Sequence, residues 1–132
     1  MNHIEINVSN LQKTKAIYAD LLCLLGWEIY QEWTLGFSYQ KNGLYLVFVQ
    51  AEDSHKESGY HRKRIGLNHL AFNVTSIEQF EHAIQLLEAK KVQFLYKNRF
   101  PYAGGDAMKR CFFEDFDRIK IELVLVNSEV SL

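Results

Sequence analysis

At 132 residues the chain is one domain's worth of sequence, long enough to bury a core but not two independent ones. Apolar residues make up 48% and charged residues 23%, the balance of a folded chain rather than a disordered or fibrous one. The net charge of −1 gives no electrostatic case for nucleic acid or membrane surfaces, and no stretch approaches the ~20 apolar residues of a spanning helix. The start, Met1-Asn2-His3-Ile4-Glu5, lacks the basic-then-apolar pattern of a secretory leader. The two cysteines, Cys23 and Cys111, stand in no metal or redox spacing and read as reduced, buried thiols, so the expected location is the cytoplasm.

In chain order, the first element is a strand in which Ile4, Ile6 and Val8 share one face while His3, Glu5 and Asn7 share the other. Ser9 and Gln12 have the spacing of a capping box, and Ile17, Leu21, Leu24 and Leu25 follow at helical spacing until Gly26 ends the helix. Strand-like runs over 27–33, 35–40 and 44–50 come next, with Asn42-Gly43 turning between the last two. A polar connector spans about 51–63. It closes on a basic run, His61-Arg62-Lys63-Arg64, read as a solvated segment with an anion-attracting rim as the sharper alternative.

The pattern then begins again. Asn68-His69-Leu70-Ala71-Phe72-Asn73-Val74-Thr75 repeats Asn2-His3-Ile4-Glu5-Ile6-Asn7-Val8-Ser9 at an offset of 66, half the chain. Thr75 and Glu78 give a second capping box, and Ile77, Phe80, Ile84 and Leu87 a second helix with Lys90 and Lys91 in its last turn. Strand-like runs over 92–96, 107–114 and 119–126 complete the copy, with Pro101, Gly104 and Gly105 in an irregular loop. Each half is therefore β-α-β-β-β. In the final run Ile119, Ile121, Leu123 and Leu125 oppose Lys120, Glu122 and Val124. His3, His69 and Glu122 all fall on the mixed faces of their strands. Two imidazoles and a carboxylate match the 2-His-1-carboxylate donor set, which leaves coordination positions open for substrate or water.

The paired modules, the two Asn-His-aliphatic openings and the closing Phe-Glu-Asp-x-Asp-x-Ile-Lys-Ile-Glu-Leu-Val over 113–124 resemble the glyoxalase/bleomycin resistance/dioxygenase superfamily, also called vicinal oxygen chelate. The resemblance runs over nearly the whole chain. It implies an α+β fold in which two βαβββ modules form a cup-shaped, curled eight-stranded mixed sheet with the helices outside. The implied domain is single, 1–132, with modules at about 1–50 and 66–127. His3, His69 and Glu122 match the family's ligand positions for one divalent ion: Zn, Ni, Mn, Co or Fe. Aligning residues 42–47 with 117–122 sets Val47 opposite Glu122, where glyoxalase I enzymes usually carry a further glutamate. Gln50, three residues on, has the opposite parity. The turn Glu114-Asp115-Phe116-Asp117-Arg118 lacks the family's usual Pro and Gly.

The expected function is a metal-dependent enzyme, lyase, isomerase or thiol-transferase-like, acting on a small oxygen-bearing, possibly anionic substrate. Glu122 is its candidate catalytic group, and Lys109, Arg110, Tyr102 and Arg64 are its candidate substrate-binding residues. The alternatives are a metal-free, bleomycin-resistance-like drug-binding protein and an extradiol-type dioxygenase. The expected partners are a small molecule and a second copy of the chain, since exposed edge strands are normally covered or paired.

Overall fold

The computed structural model of the chain describes residues 1–96 and 109–126. It contains the two βαβββ modules in two compact units, Met1–Gly59 and Tyr60–Leu132. The first unit runs β1 (His3–Val8), α1 (Leu11–Leu24), β2 (Glu28–Trp33), β3 (Gly36–Lys41) and β4 (Leu44–Gln50). The second runs β5 (Leu70–Val74), α2 (Ile77–Ala89), β6 (Gln93–Leu95), β7 (Arg110–Glu114) and β8 (Lys120–Leu125). A single 3-10 turn, Asp53–His55, lies in the connector. All eight expected strands are present, four in each of two mixed sheets, ordered β1-β4-β3-β2 and β5-β8-β7-β6. In both, the first strand of the module lies at one edge of its sheet and pairs in parallel with the last, and the other pairings are antiparallel.

Alternation decides what each sheet buries. On one face of the first unit, Val8, Phe37, Leu46 and Phe48 are buried together with Tyr18, Leu21 and Leu22 of α1. The Phe48 ring lies 4.5 Å from Tyr18 and 5.1 Å from Phe37. In the second unit Phe72, Val74, Phe113, Ile121 and Leu123 are buried, as are Phe80, Ala83 and Leu87 of α2. Burying side chains of this size stabilises by roughly 1.5–3 kcal/mol each, so these faces hold the modules together. The opposite, mixed faces carry His3, Glu5, His69 and Glu122.

The helix ends differ from expectation by one residue. Asn10 caps α1, its Oδ1 accepting from Lys13 N at 3.0 Å, and Ser76 caps α2, its Oγ accepting from Gln79 N at 3.1 Å. Gln79 Oε1 reaches back one residue beyond the cap and accepts from Thr75 N at 3.0 Å. At the other end, Gly26 takes φ +90° while Trp27 N donates to Leu22 O and Gly26 N to Cys23 O, the paired bonds of a Schellman stop. Lys91, at φ 58°, repeats that stop without glycine, Val92 N donating to Leu87 O. The Asn42-Gly43 turn is as expected, both residues at positive φ between the paired Lys41 and Leu44.

The cysteines also part company. Cys111 is buried on β7, but Cys23 is exposed on α1. Burial, with a contribution from Glu88, pushes the Cys111 thiol up to about 12. The thiolate is the reactive form, so at pH 8 Cys111 stays inert. Titration of the native protein with a chromogenic disulfide should release one fast equivalent, from Cys23, and two in denaturant. Two fast equivalents from the native protein would contradict this packing.

Candidate functional site

In the second unit β8 lies between β5 and β7, and Glu122 stands on its mixed face with Ala71 and Phe112 as cross-strand neighbours. The carboxylate is only 4% exposed, so both oxygens need partners. Oε1 faces His69 Nε2 at 3.0 Å, and Oε2 accepts from the Arg110 guanidinium on β7. The edge of Phe112 meets the His69 ring, centroids 6.0 Å apart and planes at 67°, which fixes the ring's position. On the ring's other side, His69 Nδ1 lies 2.7 Å from Asn68 Oδ1.

The same face carries a second cation. Lys120, two residues before Glu122, donates to Tyr96 Oη at 2.9 Å, and its ammonium lies 4.8 Å from the Tyr96 ring and 4.9 Å from the Phe112 ring. Sequence reasoning placed Lys120 on the mixed face but gave it no role. Its place in an aromatic cradle depends on Tyr96, at positive φ just after β6, which no periodicity signals.

In the first unit His3 stacks on Tyr45, centroids 4.5 Å apart and planes within 5°, and Tyr30 lies 5.1 Å from Tyr45. His3 Nδ1 lies 2.6 Å from Asn2 Oδ1, the same arrangement as at His69. The strand registers confirm the internal alignment. Ile4 pairs with Leu46 as Leu70 pairs with Ile121, so Val47 occupies in the first unit the place that Glu122 occupies in the second. Val47 is buried, with Ser38 on one side and Glu5 on the other. Glu5, on the same face as His3, is the acidic group nearest in register to this apolar position, and the sequence reading passed over it. Gln50 does not stand in for a carboxylate. Its Oε1 accepts from Leu11 N at 2.9 Å and its Nε2 donates to Ser9 O at 2.9 Å, which ties it to the start of α1.

The expected substrate-binding residues are spread out. Arg110 is at Glu122. Lys109 is half-buried just ahead of β7, its carbonyl accepting from Leu125 N at 2.9 Å. Arg64 is exposed on the connector, and Tyr102, with the loop around Gly104 and Gly105, lies outside the described residues. The basic run is not wholly solvated. Arg62 folds back to pair with Glu114 of β7, and Arg118 Nε reaches the same carboxylate at 3.4 Å. The turn before β8 manages without Pro and Gly. Asp115 Oδ1 accepts from Asp117 N and Ile119 N, each at 2.9 Å, and Arg118 takes the positive φ of 66° that glycine would otherwise fill.

Among the described residues, no three His, Cys, Asp or Glu side chains stand together as a ready metal site. The two donors that do meet fit an ion. Atoms bound to one metal at roughly 2.0–2.2 Å and at right angles are about 3 Å apart, and His69 Nε2 and Glu122 Oε1 are 3.0 Å apart. Among the described residues no helix is long and apolar enough to cross a membrane.

The model of the Glyoxalase/Bleomycin resistance protein/Dioxygenase superfamily matches residues 1–123. The chain is 46% identical over 124 residues to the uncharacterized protein YqjT of Bacillus subtilis, covering 94% of this chain and 97% of that one. A candidate glyoxalase from Bacillus halodurans superposes with a TM-score of 0.91 at 44% identity, over 96% of this chain and 95% of that one. The fosfomycin resistance protein FosX from Listeria monocytogenes, 22% identical, shares the fold with a TM-score of 0.65 over 100% of this chain and 97% of that one. With a family match running from the first strand through the Glu122 strand, and with both βαβββ modules in place, the chain belongs to the glyoxalase/bleomycin resistance/dioxygenase superfamily.

Proposed function

We propose that the chain is a metal-dependent enzyme of this superfamily, of the lyase, isomerase or thiol-transferase kind, acting on a small, oxygen-bearing, anionic substrate. The observation that carries the reading is the buried Glu122 facing His69 Nε2 at 3.0 Å, on a sheet face shared with Arg110. His69 and Glu122 would hold one divalent ion, either Zn, Ni, Mn, Co or Fe. His3 joins them on the strength of the repeat and the family resemblance. When bound, the ion supplies Lewis acidity toward a substrate oxygen that gains charge. Glu122 doubles as the proposed proton carrier. Arg110 is the leading group for a substrate carboxylate or phosphonate, since a guanidinium offers a planar pair of donors; Lys109, Arg64 and Tyr102 are the further candidates. We place the working protein in the cytoplasm as a single-domain homodimer whose strand edges are covered by the second copy.

One observation favours a second reading, a metal-free drug-binding protein like the bleomycin-resistance members. Arg110 already neutralises Glu122. Ligand-observed NMR separates the two. Small hydroxy acids, keto acids and phosphonates are screened against the metal-stripped chain and against the chain loaded with Mn, Ni or Zn. Binding that requires the metal is expected. The same ligands bound equally without it would move the assignment to the binding protein.

A further inference from the structure

The two carboxylates that flank Lys120 on the mixed face of the second sheet already have arginine partners. Glu122 accepts from Arg110, and Glu114 pairs with Arg62 while Arg118 Nε lies 3.4 Å from it. Lys120 stands on the same face, opposite Glu114 in the β7–β8 register and two residues before Glu122. Yet no carboxylate among the described residues pairs with its ammonium, because Glu114 is turned to the two arginines. Aromatic groups hold it instead. Nζ donates to Tyr96 Oη at 2.9 Å and lies 4.8 Å and 4.9 Å from the ring centres of Tyr96 and Phe112. Ring faces attract a cation without neutralising it. The Tyr96 hydroxyl takes one of the three ammonium N–H groups, and the other two have no acceptor among the described residues. The side chain is half-buried, so an incoming anion meets it with less competing water than at an exposed lysine. We infer that Lys120 is a specificity-determining anion site, which takes the carboxylate or phosphonate of a small substrate while Tyr96 and Phe112 hold the ammonium in place. The inference deepens the proposed function and rests on its reading of an anionic substrate beside Glu122. It gives the discriminating charge to Lys120, because that of Arg110 is already matched by Glu122. Neighbours on one face of a strand stand roughly 7 Å apart, so the substrate is short, with its acid group and its reacting oxygen only a few bonds from each other.

The test uses the full-length chain, ¹³C-labelled at lysine and loaded with zinc. Ring currents from Tyr96 and Phe112 set the Lys120 Hε resonances apart from those of other lysines, and their loss in Lys120→Met assigns them. Acetate and methylphosphonate are titrated separately, each beside its neutral methyl ester. At least one of the anions should shift the Lys120 resonances saturably, and the esters should not. The anion that binds more tightly tells a carboxylate substrate from a phosphonate one. In Lys120→Met, whose unbranched thioether keeps the contact with both rings, affinity for that anion should fall about 10-fold or more. Lys120→Arg, which keeps the charge, should recover most of it. Should the methionine variant not fold, the wild-type Lys120 shifts decide. Lys120 resonances unmoved by either anion, or unchanged anion affinity in Lys120→Met, would overturn the inference. Zinc uptake, measured on its own, tests the metal reading separately. A chain that takes up no zinc would end that reading, and the same titrations on the metal-free chain would still decide for or against Lys120.

Discussion

Glu122→Gln should lower the stability of the metal-free chain by about 3 kcal/mol, seen as a fall in the urea midpoint with an unchanged slope. Removing one member of a buried ion pair typically costs about 3–5 kcal/mol, because the partner charge stays buried without compensation. Here the partner is Arg110, whose side chain is 21% exposed, so water recovers part of the loss and the lower end of that range applies. The glutamine amide also presents N–H groups where His69 or Arg110 needs an acceptor. Replacing both members, Glu122→Leu with Arg110→Leu, should recover much of the loss, since apolar isosteres of buried ion pairs are often neutral or stabilising. With an m-value of about 1–3 kcal/mol/M, the single variant's midpoint should drop by at least about 1 M. A cost under about 1 kcal/mol would mean that Glu122 is more hydrated than the structure has it.

The second large effect is an absence of activity. Loaded with nickel or zinc, the chain should not turn over the hemithioacetal of methylglyoxal and glutathione at an ordinary enzymatic rate. Moving a proton between adjacent carbons needs a base within hydrogen-bond reach, and positioned acid–base catalysis supplies about 10²–10⁴-fold. The first unit holds Val47, buried, at the place Glu122 takes in the second. Gln50 is committed to Leu11 N and Ser9 O, and an amide has no useful basicity in any case. Following thioester formation with each metal checks this. Turnover near 10 s⁻¹ would show that another carboxylate, Glu5 being the nearest in register, serves as the base.

Much of this architecture is legible in the residues because period-two alternation survives in β1 and β5, while β8 alternates in residue type though it is buried on both faces over 121–124. The Asn-His repeat marks the module starts, and the registers of β1 with β4 and β5 with β8 bear out the alignment of Val47 with Glu122. The caps were ambiguous for a physical reason. Ser9-Asn10 and Thr75-Ser76 each offer two side chains able to accept from a helix N–H, and spacing alone favours neither. Cys23 misled because the apolar run 21–25 spans more than a full turn, so its members cannot all face the sheet; Leu21, Leu22 and Leu25 do, and Cys23 does not. The pairing of Arg62 with Glu114 and of Arg110 with Glu122 joins residues brought together only by tertiary structure. No periodicity encodes such a contact. Lys91 and Arg118 at positive φ stand where glycine is the usual signal, so these turns were visible only in the backbone.

The central claim is that His69 and Glu122, with His3, hold one divalent ion. Calorimetric titration of the metal-stripped chain with nickel, at neutral pH, tests it most directly. One ion per chain is expected for the wild type, with binding weakened by at least about 100-fold, roughly 2.8 kcal/mol, in His3→Ala, His69→Ala and Glu122→Ala. Nickel bound with unchanged affinity by all three variants, or not bound by the wild-type chain, would contradict the account.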